Sequence, residues 1–171
     1  MRTTRYIIAE NIAIEELVWE RLALIPDPEI PVISITELGI VHDVRWDGEQ
    51  LRIIITPTYT GCPAVNLFVA EIRAAMHDLG FDHPVIEILY SPAWSTDRMA
   101  PEALEKLRNY GIAPPVKSCG SNGFCAAPEV VPCPSCGSGH TSLRSQFGAT
   151  ACKALYFCNR CNEPFEYFKH F

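Results

Sequence analysis

The sequence predicts an α+β protein: a small α-β-β-α-β-α domain followed by a C-terminal four-cysteine zinc ribbon. Three observations predict it. Apolar residues recur at helical spacing in two long segments, two strand-like runs flank the turn dipeptide Asp47-Gly48, and two Cys-x-x-Cys motifs lie near the C-terminus beyond a Pro/Gly-rich stretch. The chain's 171 residues suffice for one full domain and a small second module.

Asn11 is a suitable cap for a first helix whose apolar positions are Ile14, Leu17, Val18, Leu22 and Ile25, and Pro26 and Pro28 end it. Ile30 to Leu38 is apolar but interrupted by Pro31, which predicts an extended connection. Ile40 to Trp46 and Leu51 to Thr56 then form strands joined by a tight turn at Asp47-Gly48. After Gly61-Cys62-Pro63, a second helix follows, with Val65, Phe68, Ile72, Ala75, Met76 and Leu79 on one face and Gly80 at its end. Pro84 to Tyr90 reads as a third strand. Pro101 to Tyr110 reads as a short helix with proline in its first turn and Gly111 past its end.

Hydrophobic periodicity stops at Ile112, and Pro114, Pro115, Gly120, Gly123, Pro128 and Pro132 mark a linker. The expected organisation is therefore a domain over 1–111, a linker over 112–132 and a ribbon over 133–171. Within the ribbon Leu143, Ser145 and Phe147 alternate, Ala154 to Phe157 lead into the second cysteine pair, and Phe165 to Phe168 follow it. The alternate aromatics of the tail, which include Phe171, read as ribbon core rather than as a stacking surface for bases.

Charge and length exclude several functions. Residues 133–171 hold Arg144, Lys153, Arg160 and Lys169 against Glu163 and Glu166, an excess of two positive charges, which leaves eight negative charges on the remainder of a chain of net charge −6. A ribbon so weakly basic does not track a phosphate backbone beside an acidic domain, so nucleic acid is not expected as a partner. No run approaches a membrane span, and the apolar stretch after Met1 is too short for a signal peptide. The expectation is a cytoplasmic protein, in which eight cysteines signal metal before disulfide.

Four cysteines have metal-site spacing: Cys133-Pro134-Ser135-Cys136 and Cys158-Asn159-Arg160-Cys161, with 21 residues between Cys136 and Cys158. Each pair points two sulfurs at one ion, and the intervening length suffices for a hairpin that completes a tetrahedron. Four ligands leave no open position, so the expected role is structural zinc, although iron fits the same ligands. Cys152 lies between the pairs beside Lys153. Cys119 and Cys125 fall in the linker, and with His140 and His170 they are auxiliary candidates.

Cys62 stands apart, at the end of an apolar strand and the start of a helix. Unpaired N–H groups and the helix dipole there favour a thiolate, the form that attacks or binds metal. His42, Asp27, Glu29 and Asp43 are candidates to surround it, yet no set of nucleophile, base and orienting group can be assembled, so an enzyme with a self-contained active site is not expected. Asp97 reads as a cap for the helix that follows.

The segments Asp27-Pro28-Glu29-Ile30-Pro31, Leu38-Gly39-Ile40-Val41 and Gly61-Cys62-Pro63-Ala64 resemble the iron–sulfur assembly family formerly called domain of unknown function 59. Ser95-Thr96-Asp97, Tyr110-Gly111-Ile112-Ala113-Pro114-Pro115, both cysteine pairs and Thr150-Ala151-Cys152-Lys153-Ala154-Leu155-Tyr156 narrow this: the whole is similar to the PaaD family, also called PaaJ, associated with the bacterial phenylacetyl-CoA epoxidase. The resemblance implies an accessory role in aerobic phenylacetate catabolism, assisting iron–sulfur cluster or iron insertion into the reductase or the di-iron oxygenase. It implies that Cys62 is the transfer thiol, with Asp27 in the other hallmark segment, and that a transient cluster is held by a homodimer or completed by a client's thiol. The alternative is a structural or electron-transfer component of the oxygenase with a rubredoxin-like iron in the four-cysteine site. Two departures stand out: Phe168-Lys169-His170 replaces a common Phe-Lys-Cys, and Arg98 stands where tryptophan is common.

Overall fold

The computed structural model describes residues 4–48, 50–116 and 130–170, with side chains described from residue 13 onward. The chain divides into two compact units, Met1–Trp94 and Ser95–Phe171. The expected boundary at residue 111 thus falls inside the second unit.

In the first unit, α1 spans Thr4–Leu22. Asn11 is interior to it and caps nothing at its start, because Thr4 to Glu10 contains neither Gly nor Pro to stop the helix from propagating toward the N-terminus. Val18, Leu22 and Ile25 are buried as the periodicity requires, whereas Leu17 is exposed. β1 (Val41–Asp47) and β2 (Gln50–Ile55) form the expected hairpin, in register from Val41 opposite Ile55 to Asp47 opposite Gln50, with a bulge at His42. Gly48 turns the chain at φ +64°, a value that Gly adopts without cost. β3 (Val85–Ile88) lies parallel to β2, so the sheet order is β1-β2-β3.

α2 (Val65–Asp78) is the crossover between the parallel strands and buries Val65, Phe68, Ile72, Ala75 and Met76. Its end satisfies two orphan carbonyls: Gly80 N–H donates to His77 O and Phe81 N–H to Met76 O, with Gly80 at φ +87°.

The connection from Ile25 to Ile40 is not extended. It folds into successive turns because side chains take over backbone hydrogen bonds. Asp27, itself buried, accepts at Oδ1 from the N–H groups of Glu29 and Ile30. Ser34 and Glu37 cap each other: Glu37 Oε2 accepts from Ser34 N–H, and Ser34 Oγ accepts from Glu37 N–H. These local bonds compete successfully with strand pairing, and the turns bury Ile30, Ile33, Ile35 and Leu38.

The second unit begins with a 3₁₀ turn at Thr96–Arg98, in which Ser95 Oγ accepts from Asp97 N–H. Asp97 does not cap α3 (Pro101–Tyr110). That helix starts at Ala100 without a side-chain cap, because Pro101 at its first position carries no N–H and presets the helical φ. Ile112–Ala113, linker by composition, forms the short strand β4, parallel to β7 (Pro164–Phe168). With β5 (Thr141–Ser145) and β6 (Lys153–Cys158), they form a sheet of order β4-β7-β6-β5. Its core is Ala113, Val131, Cys133, Ala154, Tyr156, Cys158, Phe165 and Tyr167, with the Tyr156 ring 5.8 Å from that of Phe165 and 5.6 Å from that of Tyr167. The tail aromatics Phe165, Tyr167 and Phe168 are buried as expected, whereas Phe171 lies outside the described residues.

Replacing Asp27 with Ala strips two N–H groups of their acceptor, one of them buried. The expected loss in urea unfolding of the first unit is about 2 kcal/mol. Asp27→Asn, which keeps the Oδ1 acceptor, loses less than half of that.

Candidate functional site

Each unit holds chemistry-bearing residues of its own. In the second unit, the sulfurs of Cys133, Cys136, Cys158 and Cys161 all lie within 4.8 Å of one another. Cys133 Sγ is 3.8 Å from Cys161 Sγ, and Cys136 Sγ is 3.6 Å from Cys158 Sγ. A tetrahedron with metal–sulfur bonds of about 2.3 Å has edges of about 3.8 Å, whereas a disulfide needs about 2.0 Å. The donor set therefore fits one tetrahedral metal ion.

The knuckles that present these sulfurs are built alike. Gly137 N–H donates to Cys133 O and Asn162 N–H to Cys158 O, and the residue after each second cysteine has positive φ, Gly137 at +70° and Asn162 at +61°. Asn tolerates that conformation better than other side-chain-bearing residues. The N–H groups of Cys161 and Arg160 turned toward Cys158 lower its thiol to about 6. The adjoining Cys158 sulfur pushes Cys161 up to about 12. Four sulfurs this close do not all ionise until a cation joins them. Among the described residues the grouping consists of these four cysteines, and neither His140, which is exposed, nor half-buried His170 belongs to it.

Cys152 stands elsewhere. It is half-buried, with Sγ 3.0 Å from Thr150 Oγ1, and its carbonyl accepts from Lys169 N–H. Cys119 and Cys125 lie outside the described residues.

In the first unit, Cys62 is a half-buried free thiol on the loop between β2 and α2. Gly61, at φ +86°, lets the chain turn so that Cys62 N–H donates to Tyr59 O and Cys62 O accepts from Val65 N–H. The helix cap is Ala64, so Cys62 sits in the turn ahead of α2 rather than in its first turn, because Pro63 and Ala64 form a turn of their own. Val41 pairs with Ile55 and Ile55 with Ile88. The loop entering β1, the loop leaving β2 and the segment leaving β3 therefore meet the sheet at one end, the carboxyl end of the parallel pair, where open α/β sheets place their ligands. Asp27 is on the first of these loops and Cys62 on the second. Trp94, on the third, donates its indole N–H to Leu38 O and ties the third to the first.

Sequence reasoning does not single out Thr56, which opens the Cys62 loop, as a site residue. It is 1% exposed, and its hydroxyl has no hydrogen-bond partner among the described residues. An orphaned buried hydroxyl costs about 1–3 kcal/mol unless something else meets it. Only its place in a polar run before Cys62 signals it. His42 is exposed at the bulge and Asp43 is paired with Arg45, so neither forms a compact set with the thiol.

One unit thus carries a free thiol on a strand-to-helix loop and the other a four-cysteine ribbon suited to a metal ion. The family model described as iron–sulfur cluster assembly protein matches residues 15–83, and the one described as PaaD zinc beta ribbon domain matches residues 118–169. The chain is 51% identical over 152 residues to the Escherichia coli (strain K12) protein named as the putative D subunit of 1,2-phenylacetyl-CoA epoxidase, spanning 89% of this chain and 90% of that one. It belongs to that family, PaaD. It is also 34% identical over 90 residues to the Bacillus subtilis (strain 168) protein named Fe-S protein maturation auxiliary factor YitW, which covers 52% of this chain and 87% of that protein. A crystal structure of a domain of unknown function DUF59 from Bacillus anthracis superposes with a TM-score of 0.53 at 26% identity, covering 58% of this chain and 96% of that one. Among the described residues no helix is long and apolar enough to cross a membrane.

Cys158→Ala removes one ligand and part of the core around it. Metal content measured by mass spectrometry is expected to fall from one ion per chain to a small fraction, with the near-ultraviolet signal of Tyr156 and Tyr167 lost in parallel. Since Cys161 holds its proton well above neutrality in the free site, binding must expel it. Affinity therefore rises with pH: chelator competition is expected to show about tenfold tighter binding at pH 7 than at pH 6 for each proton released.

Proposed function

We propose that this protein is an accessory maturation factor of a phenylacetyl-CoA epoxidase system. Cys62 transiently holds iron or an iron–sulfur cluster and passes it on, the ribbon docks the client, and zinc holds the ribbon together. The observation that carries this reading is the contrast between the two thiol sites. The ribbon's four sulfurs suit one ion and would leave it no open position, whereas Cys62 is a single half-buried thiol on a loop that opens with the unsatisfied buried hydroxyl of Thr56. One protein sulfur leaves most of a cluster's coordination to be completed by a partner, so what is held there is easily released. The names of the relatives support it, one a component of the epoxidase and the other a maturation auxiliary. Asp27 shapes the neighbouring loop through its capping bonds, and its part in transfer is to hold that loop in place.

Client and cargo follow from the same chemistry: a reductase that needs a cluster, or a di-iron oxygenase that needs iron. The second reading, a rubredoxin-like electron carrier, rests on the same tetrahedron of sulfurs, which suits iron as well as zinc. Metal analysis of Cys62→Ala protein purified without added metal separates the two, since zinc in the ribbon with no visible thiolate-to-iron absorption removes the carrier.

In cells lacking the wild-type protein, Cys62→Ala is expected to leave the reductase with less than about a tenth of its cluster content, while ribbon metal stays at one ion per chain. Full cluster content with this variant would remove Cys62 from the pathway.

A further inference from the structure

The loop joining β5 to β6 is held with far more bonds than a surface turn requires. Ala149 N–H donates to Glu166 Oε1 at 2.8 Å, and Lys153 Nζ meets Glu166 Oε2 at 2.7 Å. Lys153 is almost wholly buried. Gly148 N–H donates to Lys153 O, Lys153 N–H to Thr150 O, Ser145 Oγ to Phe147 O and Lys169 N–H to Cys152 O. A Cβ on Gly148 would lie 2.6 Å from Glu166 Oε1, so any larger residue there displaces the Glu166 carboxylate from its place under the loop. Burying the Lys153 ammonium beneath a turn is costly, and Glu166, whose side chain is a quarter exposed, offsets that cost. Yet the one large side chain that this fastening presents, Phe147, remains 64% exposed.

An aromatic ring kept in water on a backbone that cannot collapse around it is a pre-formed anchor, because the ordering cost of binding has already been met in the free protein. Its surroundings fix the sign of the partner. Lys169 Nζ lies 4.6 Å from the centre of the Phe147 ring, and the Arg144 guanidinium lies 4.8 Å from that of Phe157. Between Leu143 and Cys152 the sequence has one charge, Arg144, and Glu166, the carboxylate beneath the loop, is engaged by Lys153 and Ala149.

We infer that Phe147, with Lys169 over its ring and Arg144 three residues before it in the chain, is the ribbon's docking anchor and enters an apolar socket rimmed by carboxylates on the client protein. This rests on the reading above that the ribbon docks the client, and it names the residues that do so.

The test titrates the full, metal-loaded chain against the purified oxygenase and reductase components of the phenylacetyl-CoA epoxidase system. The wild type is expected to bind one component. Phe147→Ala is expected to weaken binding at least about tenfold and Phe147→Tyr by no more than about threefold, with ribbon metal and circular dichroism unchanged in both. Arg144→Glu weakens binding, and so does raising salt from about 50 to about 300 mM, because opposite charges meet across the contact. Wild-type affinity in Phe147→Ala overturns the anchor and leaves client docking standing. Binding that depends on Phe147 but not on salt or Arg144 overturns the acidic rim. Failure of the wild type to bind either component overturns the docking reading and the anchor with it.

Discussion

Four sulfurs within 4.8 Å of one another can all ionise only around a cation, and the second unit is organised by that constraint. Cys133 and Cys158 are part of its small core as well as of the metal site. β6 ends in the second knuckle and β7 leaves it, so the pairing of Tyr156 with Phe165 and of Ala154 with Tyr167 is set within a few residues of the ion. Two of the eight residues clustered in the ribbon's core are cysteines of the four-sulfur group, so the binding energy of a metal held there would be folding energy. The short β4 can then rely on β7 as a template already fixed by the knuckle.

Among the described residues, the first unit has no comparable grouping of metal ligands. Its apolar positions are numerous enough to form a core from α1, α2 and the inner face of the sheet, and its loops are free to serve a ligand. Three of them converge at the carboxyl end of β2 and β3, held by Asp27, by the mutual caps of Ser34 and Glu37 and by the Trp94 indole. On the proposed function, metal for structure and thiol for exchange belong to different units. A thiolate inside a closed tetrahedron is a poor donor of its ion, and a lone thiol is a poor scaffold.

Elements set by local chemistry were legible in the sequence: the hairpin at Asp47-Gly48, α2 with its glycine stop, α3 between Pro101 and Gly111, and both knuckles. What escaped was decided by longer-range or side-chain bonds. The first helix runs past Asn11 because a possible cap does not stop a stretch that can continue as helix. The turns from Ile30 to Leu38 are invisible to hydrophobic periodicity because Asp27, Ser34 and Glu37 satisfy the backbone in place of a neighbouring strand. β4 is two residues long, too short for any pattern. Cys62 was legible as a residue to ask about, while the orphaned Thr56 hydroxyl beside its loop depends on burial, which a polar run does not announce.

The Lys153–Glu166 pair is the least legible feature of the ribbon and the one whose presence most needs a reason. Thirteen positions apart, the two residues meet only because β6 and β7 pair with Leu155 opposite Glu166. Apolar residues of similar size would serve a small core as well or better, since the attraction within a buried pair rarely exceeds the cost of desolvating both charges by much. An apolar replacement could not, however, also accept the Ala149 N–H, and the loop above would lose the bond that fixes its height over the sheet. Glu166 thus works as a latch with two catches, one on a strand and one on a loop, and it gives the nearly buried Lys153 ammonium its counter-charge. Gly148 completes the arrangement by leaving out the one atom that would strike the latch. Such a device contributes little to stability beyond what simpler packing would give, and its effect is to hold Phe147 out from the surface.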